Sequence, residues 1–130
     1  MDPKLKILVI DDMPVMRKMV TKILTDLGYS DIEHAEDGAI ALEKVKQAHS
    51  AGVGFQFIVS DWNMPNMTGL ELLINLRADD SFKKLPFLMV TAEGEKGNII
   101  KAVQAGVSDF VIKPFTKDIL SQKINRVLGQ

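Results

Sequence analysis

Apolar residues in this chain fall into short continuous runs separated by longer stretches in which they recur every three or four positions, and the two patterns alternate throughout. The first run, Lys6 to Ile10, is unbroken, as a strand covered on both faces should be, and stops at Asp11-Asp12. Pro14 suits a first helical turn, and Val15, Met16, Met19, Val20, Ile23, Leu24 and Leu27 predict a helix facing a sheet until Gly28, a left-handed C-cap. Ile32 to Ala35 predicts a second strand, Asp37 a cap on a helix over Ala39 to Gln47, and His49 to Gly54 a loop. Phe55 to Ser60 predicts a third strand ending at Asp61. Trp62 to Met67 is excluded from regular helix because Pro65 restricts Met64 and lacks a donor. Thr68-Gly69-Leu70-Glu71 has capping-box spacing and opens a helix whose apolar side is Leu70, Leu72, Leu73 and Leu76. Strand four is Pro86 to Val90, ending at Thr91. Ile99, Ile100 and Val103 mark a helix stopped near Gly106, strand five is Phe110 to Ile112, ending at Lys113-Pro114, and Thr116 caps a last helix carrying Ile119, Leu120, Ile124, Val127 and Leu128.

Five βα units of this length predict an α/β fold, a doubly wound five-stranded parallel sheet with five helices, because parallel strands need right-handed crossovers. The 130 residues, 46% hydrophobic and 25% charged, fit one domain spanning 1–130. Such a domain buries roughly two-thirds of its unfolded surface and needs no disulfide or structural metal. Zero cysteines exclude thiol redox chemistry and a Cys-based zinc site. Sixteen basic against seventeen acidic residues give a net charge of -1, without the positive field of a nucleic-acid binder. The apolar runs are too short to span a bilayer and no signal-peptide core precedes them, so the expectation is a cytoplasmic protein without nucleic-acid or membrane partners.

In open α/β sheets ligands bind beyond the carboxyl ends of the strands, at the point where strand order reverses. Those ends carry Asp11 and Asp12, Asp61, Thr91 and Lys113. Converging carboxylates raise each other's pKa and call for a cation or a tuned acid/base role. Oxygen donors without nearby His or Cys favour Mg²⁺, with the backbone carbonyl of Asn63 as a further ligand. An Asp beside such an ion is a nucleophile for a phosphoryl group, with Lys113 and the Thr91 hydroxyl contacting phosphoryl oxygens. A single Asp after a strand is more often a helix N-cap, and Asp12 alone reads that way. Five compatible residues at four strand ends do not. The methionines read as packing, and His34 and His49 stand alone.

At these residues the sequence resembles the receiver domains of two-component signalling, and more closely the CheY-type chemotaxis response regulators. Leu8-Val9-Ile10-Asp11-Asp12, Ser60-Asp61-Trp62-Asn63-Met64-Pro65, Val90-Thr91-Ala92-Glu93 and Lys113-Pro114-Phe115 stand in family order and near-family spacing across nearly the whole chain. The resemblance implies the flavodoxin-like (βα)5 strand order 2-1-3-4-5. It further implies Asp61 as phosphoacceptor, Asp11 and Asp12 as the acidic Mg²⁺ pocket, Thr91 and Lys113 as switch residues, and Asn63 and Glu93 as tuners of dephosphorylation.

By the same resemblance the phosphodonor is a chemotaxis sensor histidine kinase, CheA-like, with acetyl phosphate as a small substitute, and a phosphatase is a further partner. The protein is then a monomeric signalling switch that catalyses its own phosphoryl transfer and slow dephosphorylation, not an enzyme acting on other substrates. No output domain is expected, so it acts by binding. The output face would carry Phe110, Lys96, Ile99, Val103, Ile112, Lys123 and Arg126, basic residues around apolar ones that suit an acidic amphipathic segment. By resemblance that segment belongs to the flagellar motor switch protein FliM. Chemotaxis members usually have Tyr where Phe110 stands, Thr68 replaces a common Asp, and the connection around Gln47 to Gly54 is longer than in close relatives. The alternative within this class is a phosphate sink or phosphorelay receiver with a non-motor partner.

Other classes fit less well. A phosphatase using an aspartyl phosphate would want a second acid two residues after its nucleophile, where Met13 follows Asp11-Asp12. An FMN carrier would want a Ser/Thr/Gly loop in place of Asp11-Asp12-Met13-Pro14, and no P-loop is present. A binding module that is never phosphorylated would not need all five site residues.

Overall fold

The computed structural model describes residues 4–92 and 96–129. Within them the order is β1 (Lys6–Ile10), α1 (Pro14–Asp26), β2 (Asp31–Ala35), α2 (Gly38–Ser50), β3 (Phe57–Asp61), α3 (Gly69–Arg77), β4 (Phe87–Ala92), α4 (Lys96–Gln104), β5 (Asp109–Lys113) and α5 (Lys117–Val127). All strand pairs are parallel and the sheet order is β2-β1-β3-β4-β5, as expected.

Side chains alternate across the central strands, so β1 and β3 feed two cores. Ile7, Val9, Phe57 and Val59 pack with Val20, Ile23 and Leu24 of α1 and Leu120 and Ile124 of α5. Leu8, Ile10 and Ile58 pack on the other face with Ala41 and Val45 of α2, Leu72, Leu73 and Leu76 of α3 and Ala102 of α4. Burial on both faces is why these strands read as continuous apolar runs. From β1 the chain winds outward to β2, then returns across β1 to β3. The crevice opened by that reversal lies at the carboxyl ends of β1 and β3, beside Asp11 and Asp61.

The element ends differ from expectation for local reasons. Asp12 does not cap α1: the N-cap is Met13 with no side-chain bond, because the Asp11 carboxylate accepts the Met13 N–H at 2.9 Å. The apolar stripe of α1 faces the sheet through Val20, Ile23 and Leu24, whereas Val15 and Met19 in its early turns are exposed. Gly28, at φ 104, closes α1 with bonds from Gly28 N–H to Thr25 O and Tyr29 N–H to Leu24 O, a left-handed termination that a Cβ would strain. Nothing between Gln47 and Ser50 breaks a helix, so α2 continues through His49, and the longer connection is partly helix. Phe55 is buried ahead of β3 and does not belong to it. Asp37, Thr68 and Thr116 cap α2, α3 and α5, with the full capping box at Thr68 and Glu71.

Candidate functional site

Parallel pairing sets the ends of β1, β3, β4 and β5 side by side, with Asp61 beyond β1's last residue, Thr91 opposite Ile112 and Ala92 opposite Lys113. One carboxylate oxygen from each of Asp11, Asp12 and Asp61 lies within 4.8 Å of the others, Asp11 and Asp61 buried and Asp12 exposed. Lys113 Nζ reaches over this group, 3.2 Å from Asp61 Oδ1 and 3.7 Å from Asp11 Oδ2. The Trp62 N–H also donates to Asp61 Oδ1, at 2.9 Å, so two donors fix one oxygen of that carboxylate.

The charges do not balance, since three carboxylates face one ammonium. Burial, reinforced by the neighbouring Asp61 and Asp12 charges, pushes the Asp11 carboxyl up to about 6 against the opposing pull of the Met13 N–H and Lys113. Burial also raises Asp61, with Lys113 drawing it back down. Thr91 is 2% exposed, and its Oγ1 has no hydrogen-bond partner among the described residues. Leaving a buried hydroxyl unpaired costs about 1–3 kcal/mol, a penalty that an incoming acceptor would relieve. An excess of hard oxygen donors around a small gap is the chemistry of a divalent cation such as Mg²⁺, and these residues fit one.

Several supporting contacts span too many positions, or depend too much on backbone geometry, to show as a motif. Arg17 Nη1 donates to the Asp11 carbonyl at 2.6 Å, bracing the turn that carries both β1 acids. Gly69 donates to Trp62 O at 2.9 Å, and a Cβ at Gly69 would collide with the Asp61 carbonyl, so the chain after Asp61 can pass α3 only if that residue lacks a side chain. The intervening loop is held by the start of α2, on the same face of the sheet as α3: Asp37 Oδ2 accepts Asn66 Nδ2 at 2.8 Å and Gly38 N–H donates to Met67 O at 3.1 Å. Asn66 sits at φ 67, a left-handed position that Asn tolerates. Asn63 is exposed in this loop and is not one of the three clustered acids.

The residues expected on the output face lie along α4, β5 and α5. Val103, Ile112 and Arg126 are exposed, while Ile99, Phe110 and Lys123 are half-buried. The basic residues are not unpaired there. Asp109, absent from the expected set, takes Lys123 Nζ at 3.3 Å and lies 3.8 Å from Arg126 Nε, and Lys123 stands 5.3 Å over the Phe110 ring. Glu93 and the side chain of Lys96 lie outside the described residues. His34 and His49 belong to no metal-binding cluster among the described residues; His49 packs edge-on to Phe82. No helix among those residues is long and apolar enough to cross a membrane.

A doubly wound parallel sheet with acids and a bridging lysine gathered at its carboxyl edge, and a threonine hydroxyl unpaired among the described residues, points to a class of protein, and comparison with known proteins shows which. The chain belongs to the response regulator receiver domain family, whose model matches residues 7–125. Within that family it is of the CheY type. It is 43% identical over 127 residues to chemotaxis protein CheY-3 of Vibrio cholerae serotype O1, covering 98% of this chain and 94% of the relative. It is 47% identical over 123 residues to chemotaxis protein CheY of Pseudomonas aeruginosa, covering 95% of each. Among solved structures, chemotaxis response regulator CheY4 of Vibrio cholerae superposes with a TM-score of 0.83 at 35% identity, over 95% of this chain and 98% of that one. The receiver domain of sensor histidine kinase PA1611 of Pseudomonas aeruginosa, solved with a magnesium ion coordinated in its active site cleft, gives a TM-score of 0.82 at 25% identity, over 98% and 99% of the two chains.

Proposed function

We propose that this response regulator is a Mg²⁺-dependent phosphorylation switch that accepts a phosphoryl group on Asp61 and passes the signal by binding a partner of the chemotaxis system. The observation that carries the reading is the set formed by Asp61, Lys113 and Thr91. In it one carboxylate oxygen is held by both the Trp62 N–H and the Lys113 ammonium, and the buried Thr91 hydroxyl at the end of β4 has no partner among the described residues. The coordinated magnesium of the PA1611 receiver domain supports an ion in the matching cleft. Asp11, Asp12, Asp61 and the Asn63 carbonyl would hold it here, and a bound Mg²⁺ would supply positive charge against the phosphoryl oxygens.

The step itself is a displacement at phosphorus. A carboxylate oxygen of Asp61 forms the new O–P bond as the donor's N–P bond breaks, and the histidine of a sensor kinase leaves with the bonding pair and takes up a proton. Lys113, already 3.2 Å from Asp61, then pairs with a phosphoryl oxygen, and the Thr91 hydroxyl donates to another. By family resemblance Asn63 and Glu93 would govern the approach of the hydrolytic water. Thr91 and Phe110 lie on adjacent strands, β4 and β5, and by family resemblance movement of Thr91 toward the phosphoryl group would carry to the α4–β5–α5 face. The relatives are named as chemotaxis proteins, which supports a role in that system; by family resemblance a chemotaxis sensor histidine kinase is the donor and the flagellar motor switch protein the partner.

The test is incorporation of label from acetyl phosphate. Wild type should be labelled with Mg²⁺ and not with EDTA, and Asp61→Asn should not be labelled while keeping the wild-type circular dichroism spectrum. Normal labelling of Asp61→Asn would remove Asp61 from its role.

A further inference from the structure

The α4–β5–α5 face carries its own acid. Asp109 opens β5 with a side chain only 14% exposed, enclosed by the two basic residues that an acidic partner would be expected to use. Its Oδ1 accepts the Phe110 N–H at 2.8 Å and Lys123 Nζ at 3.3 Å. Its Oδ2 is buried with no hydrogen bond among the described residues, and the nearest cation, Arg126 Nε, stays at 3.8 Å. The pairing is thus strong on one oxygen and loose on the other. The same lysine lies 5.3 Å over the Phe110 ring, which ties the contact to the aromatic next in sequence.

We infer that Asp109 is an internal competitor for the partner's carboxylates, an autoinhibitory contact that occupies Lys123 and Arg126 until an acidic amphipathic segment displaces it. Charge complementarity selects that occupant. Val103 of α4 and Ile112 of β5 are exposed as well, so a helix with acids flanking an apolar stripe offers both chemistries that the elements of this face present. The partner's acid has the advantage of position, because the Arg126 side chain is 78% exposed and open to an approach from solvent that the buried Asp109 Oδ2 does not match. When Lys123 turns to the partner it leaves the Phe110 ring, so partner binding and the setting of Phe110 are linked.

This inference rests on the reading of α4–β5–α5 as the partner face, and the experiment separates the two. The probe is a fluorescent synthetic helix with Leu and Phe on one face flanked by Asp and Glu, followed by anisotropy on beryllofluoride-treated protein. Asp109→Asn keeps an oxygen for the Phe110 N–H and removes only the charge. It should bind roughly fivefold tighter than wild type, with a steeper loss of affinity as salt rises, since the cations no longer exchange one anion for another. Lys123→Gln should lower affinity more in the Asp109→Asn background than in wild type. Equal affinities for wild type and Asp109→Asn, or equal losses from Lys123→Gln in both, overturn the competitor while leaving the face. No binding by any form, with the response of Trp62 to beryllofluoride intact, overturns both.

Discussion

At the scale of single residues, Asp11 is where folding and function pull against each other. Its carboxyl titrates at about 6 in the folded protein against an ordinary 3.8, so between those values the fold holds a proton that the unfolded chain has released. The stabilisation is fully present below the lower value and is lost as pH rises through the upper one, and the raised Asp61 acts in the same direction. In EDTA, thermal melts should therefore show Tm falling from about pH 4 to about pH 6, with a flatter curve and a Tm a few degrees higher at neutral pH for Asp11→Asn. A Tm that rises over that interval, or an Asp11→Asn variant less stable at neutral pH, would contradict the assignment. The acids, Thr91 and Lys113 were legible because each directly follows an apolar run. Arg17 and Asp109 were not, since each acts through a contact six to seventeen positions away that leaves no periodic trace.

At the scale of elements, the loop from Trp62 to Met67 is positioned by an element it does not adjoin in sequence. Asp37 caps α2 through the Ile40 N–H at 2.8 Å and holds Asn66 with its other oxygen, while the Gly38 N–H donates to the Met67 carbonyl, against which a Cβ at Gly38 would collide. Capping alone is worth about 1 kcal/mol, and a partly buried side-chain hydrogen bond such as that to Asn66 about as much again. Asp37→Ala should thus lose about 2 kcal/mol in urea unfolding, and Asn66→Gly, which keeps the left-handed backbone, about half of that. Equal losses from the two would mean that the cap adds nothing beyond the tie to the loop. The cap was readable at Asp37 because its amide partner lies three residues on, but the tie spans 29 positions and only the fold reveals it. The end of α2 was misread for the opposite reason: Gln47 to Ser50 carries no strong local signal, so tertiary context decides it.

At the scale of the whole molecule, the alternation of runs and stripes was enough to specify a doubly wound parallel sheet and to place the site at its carboxyl edge. The strand order came from family resemblance, because hydrophobic patterning is the same wherever a buried strand sits. The order 2-1-3-4-5 brings Asp11 beside Asp61 and puts β5, with the proposed partner face, on the far side of β4. The central claim is that this edge is a cation-dependent phosphoryl site, and Trp62 reports on it directly. It is the sole tryptophan, is buried, and donates its backbone N–H to Asp61. Its fluorescence should change saturably with Mg²⁺ and change again on addition of beryllofluoride, with the second change missing in Asp61→Asn. A signal flat to both additions, or a beryllofluoride response that survives in Asp61→Asn, would contradict the account.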